Sequence, residues 1–373
     1  MIKGFFTALG LLLGLTNCAL AINATQQAAL QNQYPVTAVL DFTKNSMPST
    51  VTYARTDTGV GGTSTDTLIS DPLGTIPTSY ATGAPTWSKY GGIDIYETRT
   101  QFFLNNYGAS IATGANTVTF ASAGTYFAWC SGGASTSILT AAGTATITSG
   151  TGTLTCGLGT YQTLVVTVAG TMTTTVTGTG TNPTGSAPAS GAINLVQVEG
   201  PASSSAYGPT PLMKTAAATF NRGVPTMALN GAALSAVTGA NSTLMVDYTV
   251  AINSSGRLLC GQAATGTFCL TESAGTIWDK SGTGTQSSIL GASPPTYKRS
   301  CGELSQTQGN TVGEQGRAGS INATIPLQYT AGWIGSYGNG SGQLGGTIKA
   351  VGLYNQALPY PIFYEKCHYG APF

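Results

Sequence analysis

The chain has 373 residues, of which only 7% are charged, against roughly 25% in an average soluble domain. Lys and Arg number 14 and Asp and Glu 13, so there is no basic patch to neutralise a run of phosphates or to grip anionic lipid, and nucleic acid is excluded as a natural partner. Helical surfaces lean on Lys, Glu and Arg; a chain that replaces them with 51 glycines and abundant Thr, Ser and Ala favours strands and loops. Such a surface suits neutral partners such as glycans and, since little repulsion opposes it, self-association.

Residues 1–21 read as an export signal: Lys3 supplies a short positive region, Gly4 to Leu15 an apolar stretch too brief to span a bilayer comfortably, and Ala19-Leu20-Ala21 a small-x-small cleavage site. Cleavage after Ala21 removes the one segment resembling a membrane span and places the mature chain outside the cell or at its surface. Residues 36–43, VTAVLDFT, alternate as a strand, and a Gly, Thr, Ser and Pro-rich region from Asp57 to Pro85 reads mostly as loop. Residues 22–105 carry too little apolar periodicity for a core of their own and are not expected to form a separate domain.

From Asn116 the runs NTVTF, GTYFAWC, TATITS, LVVTVAG and TMTTTVTG are period-2 or β-branched and separated by Gly-bearing turns, and INLVQVE, preceded by the loop Asn182 to Ser190, supplies a last strand. In that strand Ile193, Leu195 and Gln197 share one face and Val196 and Val198 the other. Residues 106–207 are therefore expected to form a small antiparallel β-sandwich. A second series, including TMAL, TLMVDYTVA, GRLLC, TFCLT, GTIWDK, TIPLQYT, GWIGSYG and GTIKAVGLY, fits a jelly roll over 208–373. The expected fold is all-β, with two antiparallel β-sandwiches.

Loss of the signal leaves Cys130, Cys156, Cys260, Cys269, Cys301 and Cys367, an even number suited to disulfides in an exported chain. Six cysteines allow 15 pairings, and sequence alone does not choose among them. Cys260 and Cys269 flank a Gly-containing turn between apolar runs, which suits a bridge across a hairpin. Cys130 with Cys156 keeps a bridge within the small sandwich, and Cys301 with Cys367 ties the chain end to the larger one. No CxxC occurs and His368 is the sole histidine, so no metal site is expected.

Four stretches carry a resemblance. They are VTYARTDTGV (51–60), GGIDIYETRTQFFLNN (91–106), INLVQVEGPASSSAYGPTP (193–211) and LGGTIKAVGLYNQAL (344–358). In order and spacing they resemble the "FTRASTATYV", "GLLIEEARTNLLLNS", "QLEAGSFATSYIPT" and "GHIRRLALYPRAL" segments of tailed-phage virion and tail-fibre proteins with concanavalin A-like, laminin G-like or carbohydrate-binding-module-like β-sandwiches. The resemblance implies a lectin-like C-terminal fold that includes the opening strands, so that residues 22–105 pack largely against 208–373 and the smaller antiparallel β-sandwich is inserted into the larger. Lectin-like folds also often carry calcium, for which Asp57 and Asp66 bracket one polar loop; the Asp residues are otherwise scattered, with no DxDxDG loop, and no cofactor is expected. Virion proteins assemble in the cytoplasm without an export signal or disulfides. An exported bacterial protein sharing the fold, or a domesticated phage module, therefore fits this chain better than a tail component.

Catalytic constellations are sparse. His368 lies five residues from the C-terminus and lacks a nucleophile context. Glycoside hydrolysis needs two converging carboxylates, but Asp94 and Glu97 fall on opposite faces of a strand, Glu97 is expected to pair with Arg99 on its own face, and Asp279, Glu303 and Glu314 stand alone in loop-like sequence. Aromatic rings that stack on pyranosides are better represented. Trp129 reads as core, whereas Trp333 and Tyr337 in GWIGSYGNGSG, with Tyr90 and Trp87 in TWSKYGG, are the candidate ligand-binding residues. The reading is an exported, non-catalytic carbohydrate- or surface-binding protein. A structural subunit of a virion, fibre or extracellular filament is the alternative, and a polysaccharide hydrolase the third.

Overall fold

The computed structural model describes residues 33–373 except 59–82, 89–90, 105–113, 133–136, 157–159, 177–192, 203–207, 211–212, 214, 216, 240, 251–255, 264–265, 273–274, 281–283, 291–297, 306–309, 315–316 and 322–329. The export signal, Asp66 and Tyr90 lie outside the described residues.

In chain order the first three strands, β1 (Ala38–Asp41), β2 (Val51–Arg55) and β3 (Ile93–Ile95), belong to the larger of two sandwiches. The smaller one then takes β4 (Arg99–Gln101), β5 (Gly114–Phe120), β6 (Gly124–Gly132), β7 (Ser137–Ala142), β8 (Thr146–Ser149), β9 (Thr153–Thr155), β10 (Gln162–Val168), β11 (Gly170–Val176), β12 (Ile193–Ala202) and β13 (Phe220–Arg222). The chain returns to the larger sandwich with β14 (Pro225–Leu229), helix α1 (Gly231–Val237), β15 (Asn241–Val250), β16 (Gly256–Ala263), β17 (Gly266–Glu272), β18 (Gly275–Lys280) and β19 (Gly284–Leu290). It ends with β20 (Lys298–Ser305), β21 (Asn310–Glu314), β22 (Arg317–Ile321), β23 (Ala331–Ile334), β24 (Gly346–Tyr354) and helix α2 (Tyr360–Lys366).

Sheet I of the larger sandwich runs β1-β24-β15-β20-β21-β22, with β3 also on β24, and sheet II runs β19-β18-β17-β16-β23-β14-β2. In the smaller sandwich sheet III runs β13-β4-β12-β6-β10-β8 and sheet IV β5-β11-β7-β9. Period-2 burial drives the stacking: Pro225, Met227 and Leu229 of β14 point inward while Thr226 and Ala228 point out, and β11 buries Met172, Thr174 and Val176. The larger core gathers Leu40, Trp87, Ile95, Met227, Leu244, Val246, Ile334, Val351 and Leu353. The smaller gathers Phe120, Tyr126, Ala128, Leu164, Met172, Val196 and Val198. Each large side chain so buried contributes about 1.5–3 kcal/mol, which is how a chain short of charge and rich in Gly holds two cores.

Val196 and Val198 of β12 face the smaller core and Gln197 lies on the other side, as their alternation in sequence requires. The crossings between sandwiches are short. Tyr96 to Thr98 separate β3 in sheet I from β4 in sheet III, and Gly223 with Val224 leads from β13 back to β14. The smaller unit thus draws in β4 and β13, which lie outside the 106–207 range assigned to it from sequence, because three-residue strands leave almost no periodic signal. Gly223 is required at the return: a Cβ there would lie 1.9 Å from the Thr56 carbonyl oxygen.

Candidate functional site

The two segments that carry most of the family resemblance meet edge to edge. Thr100 and Gln101 of β4 pair with Gly200 and Glu199 of β12, and Arg99, Thr100 and Gln101 pair on the other side with Arg222, Asn221 and Phe220 of β13. Their polar side chains form one buried network. Glu97 accepts from Arg99, whose guanidinium lies 5.0 Å from the centre of the Phe127 ring. Gln101 accepts from the Val198 and Phe103 N–H groups and donates to Val196. Glu199 accepts from the Gln197 amide (2.7 Å), the Thr210 hydroxyl (2.5 Å) and the Thr210 N–H, so the segment after β12 folds back over the outer face of sheet III.

A second part of the network anchors the larger sandwich to this face. Asp57 receives two guanidinium nitrogens of Arg55 together with the Gly83 and Gly223 N–H groups. Burial pushes the Asp57 carboxyl up, but these donors outweigh it and hold the group below its ordinary value. Burial pushes Glu199 up against the pull of Arg99 and Thr210, and lowers Arg222, which also faces Arg55. With Glu97, Arg99, Glu199 and Arg222 all under 9% exposed, the cluster presents nothing to a ligand. It is a clamp, and breaking one partner of such a buried pair costs about 3–5 kcal/mol. Asp57, the described half of the calcium-loop candidate, is committed to this clamp.

The candidate aromatics separate. Trp87 is 5% exposed and belongs to the larger core, where its bridge to Ile93 turns it inward; its assignment as a ligand contact is corrected on that ground. Tyr90 lies outside the described residues. Trp129, read as core, is fully buried. Glu303, read as an isolated loop residue, instead lies in β20, 3% exposed, and accepts the Leu358 N–H at 3.0 Å.

Trp333 lies on β23 and Tyr337 in the loop that follows it. Gly332 and Ile334 of β23 face the larger core, so Trp333 points to the outer face of sheet II, where it is half-buried. A cross-strand row on that face runs Thr52, Ala228, Trp333, Cys260, Cys269 and Asp279. Thr52 and Ala54 of the edge strand are exposed beside it. The loop after β23 folds back on itself, Tyr337 N–H donating to Ser341 and Gly340 N–H to Tyr337, while Asn339 accepts from the Ser341 N–H and hydroxyl. Its Gly338 lies against the indole so closely that a Cβ would be 2.4 Å from the ring. Tyr337 is fixed from the other side: the Arg257 guanidinium donates to its hydroxyl at 2.8 Å and lies 4.8 Å from its ring centre. Arg257, in the strand GRLLC eighty residues earlier, carried no signal in sequence.

The disulfides join Cys130 to Cys156, Cys260 to Cys269 and Cys301 to Cys367, the pairing expected. The second bridges neighbouring strands of sheet II with Cα atoms 4.1 Å apart, stiffening the sheet directly beside Trp333. Among the described residues no group of three or more His, Cys, Asp or Glu is placed to hold a metal ion, and no helix is long and apolar enough to cross a membrane.

No family model and no curated protein matches the chain. Among solved structures it is similar to Trypanosoma rangeli sialidase in complex with sialic acid, at 14% identity over 37% of this chain and 25% of that one, with a TM-score of 0.30. It is also similar to the CBM40 of Ruminococcus gnavus IT-sialidase bound to α2,3-sialyllactose, at 12% identity over 36% of this chain and 87% of that one, with a TM-score of 0.31. The chain thus spans about a quarter of the length of the sialidase structures that it matches. These likenesses are partial.

Proposed function

We propose that the protein is an exported, non-catalytic carbohydrate-binding protein, a lectin-like module of the kind its four family-like segments suggest, and that Trp333 and Tyr337 are its stacking surface. The observation that carries this is the partly exposed Trp333 indole on the outer face of sheet II, held by Gly338 and the Cys260–Cys269 hairpin rather than free to collapse inward. A rigid ring flanked by hydroxyls and amides suits a neutral pyranoside, whose apolar face stacks while its hydroxyls take hydrogen bonds. The non-catalytic part rests on the carboxylates. Asp57, Glu97, Asp247 and Glu272 are each buried against a cation, and Glu199 and Glu303 accept backbone N–H groups, so no two of these converge on an open groove as hydrolysis requires.

The test is binding to a panel of neutral polysaccharides. Binding is expected with little dependence on salt, since few counterions are released, and the Trp333→Ala/Tyr337→Ala double variant is expected to lose it with its fold intact. Unchanged binding by that variant removes the site, and release of reducing ends replaces the reading with the hydrolase. A structural subunit of a fibre, filament or virion is the second reading. One observation favours it: at least 12 of the 27 charged residues are buried, which leaves little surface repulsion to oppose assembly. Concentration-dependent growth of the particle in sedimentation, without added glycan, would favour that reading.

A further inference from the structure

Most of the exposed large apolar side chains among the described residues stand singly, but Tyr360, Tyr364 and Tyr369, at 57%, 43% and 37% exposure, crowd onto α2 and the turn after it. Tyr360, Tyr364 and His368 recur at every fourth residue and so line one face. The two tyrosine rings lie 6.5 Å apart and within 28° of parallel, and the exposed His368 ring meets Tyr364 edge-on at 5.8 Å.

This strip is held rigidly. The opposite face of α2 buries Ile362 and Phe363 against Met245 and Tyr354 on the outer side of sheet I. Cys367 is bonded to Cys301 of β20, and the Arg299 guanidinium, itself paired with Asp247, donates to the Lys366 and Ala371 carbonyls at 2.8 Å each. Rings fixed in this way lose little entropy when a partner covers them.

We propose that the Tyr360–Tyr364–His368 strip is a second platform for neutral saccharide. Because α2 covers the outer face of sheet I while Trp333 lies on the outer face of sheet II, one molecule would bridge two glycan chains. The surface chemistry selects this occupant. The strip ends in hydroxyl and imidazole groups, which suit the hydroxyls of a saccharide, and the nearby Lys349 donates to the Tyr369 hydroxyl at 3.0 Å. A second copy of the chain is a poorer fit: three rings exposed to this extent offer roughly 300 Å², taking about 200 Å² per ring, far below the roughly 800 Å² per partner of a stable interface. The proposal extends the glycan-binding reading to another face and stands or falls separately from the Trp333 site.

His368 is the only histidine, so its imidazole C–H resonances form a unique NMR reporter in the intact mature chain. Titration at constant pH with maltohexaose, cellohexaose and laminarihexaose is expected to shift them with at least one of the three. Tyr364→Ala should abolish that shift and Trp333→Ala/Tyr337→Ala should leave it. Tyr360→Ala, at the most exposed ring, repeats the test should Tyr364→Ala disturb the fold. The bridging claim predicts that the native chain makes the matching long polymer turbid and that removal of either platform clears it, while hexasaccharide binding at the other persists. No shift with any of the three sugars, or a shift that survives both tyrosine variants, overturns the proposal. A His368 response to protein concentration without sugar overturns it in favour of contact between copies, and loss of the Trp333 site alone leaves it standing.

Discussion

Glu303 offers the most direct test of how burial has been arranged in this chain. Its carboxyl is 3% exposed in β20 and receives the Leu358 N–H; burial lifts it from the ordinary 4.5 to about 7 against the pull of the Leu358 and Thr243 hydrogen bonds. The native state therefore holds a proton that the unfolded chain releases above about pH 4.5. Stability falls as pH rises through the window between the two values and levels off above the higher one. At about 1.4 kcal/mol per unit, the full penalty is about 3 kcal/mol. Glu303→Gln keeps an oxygen for the Leu358 N–H and removes the ionisation, so the variant should match the native chain near pH 4.5 and exceed its stability by up to about 3 kcal/mol near pH 8. Urea unfolding of both chains with disulfides intact measures the difference directly, and contributions from other raised carboxyls such as Asp247 and Glu199 cancel in it. A variant that is no more stable than the native chain near pH 8 would refute the reasoning.

The disulfides should differ in weight. By loop entropy, replacing Cys301 and Cys367, 66 residues apart, costs about 4 kcal/mol, whereas replacing Cys260 and Cys269, nine apart, costs about 2.5 kcal/mol; thermal unfolding of the two Cys→Ser pairs ranks them. Gly338→Ala should push the indole out of its seat, shifting Trp emission and weakening polysaccharide binding at least several-fold without loss of β-sheet circular dichroism, and an unchanged spectrum would contradict the packing described.

The all-β fold and the disulfides were legible because their signals are local or compositional: alternation in runs such as TMTTTVTG, Gly-bearing turns, and cysteines spaced to suit a hairpin. The Glu97–Arg99 pair was legible because its members stand two residues apart, although Glu97 lies in the crossing just before β4. What escaped depends on contacts far apart in the chain. Trp87 sits in a Gly and Pro-rich neighbourhood that reads as surface, yet a single bridge to Ile93 turns it into the core. Arg257 meets Tyr337 only because β16 and β23 are neighbours in sheet II. The aromatic strip of α2 was hidden by Pro359 and Pro361, which mask a short helix in a sequence otherwise read as strand and turn.

The placement of charge links the fold to the proposed function. Ion pairs do not make this protein stable in proportion to their number, since a buried pair roughly offsets its own desolvation. Their value here is positional: Asp57 with Arg55 fixes a crossing between sandwiches and Asp247 with Arg299 fixes the seat of α2, while the buried Glu199 holds Thr210 by hydrogen bonds. Drawing charge inward for these tasks leaves hydroxyls, amides and a few aromatic rings outside. Such a surface repels neither a neutral polymer nor its own copies, so specificity has to come from rings held still. Each ring site is braced accordingly, Trp333 by Gly338 and the Cys260–Cys269 bridge and the α2 strip by Cys301–Cys367 and Arg299. Replacing Cys260 and Cys269 with Ser should therefore weaken glycan binding at Trp333 more than at the α2 strip, and replacing Cys301 and Cys367 should do the reverse, because each bridge braces its own platform.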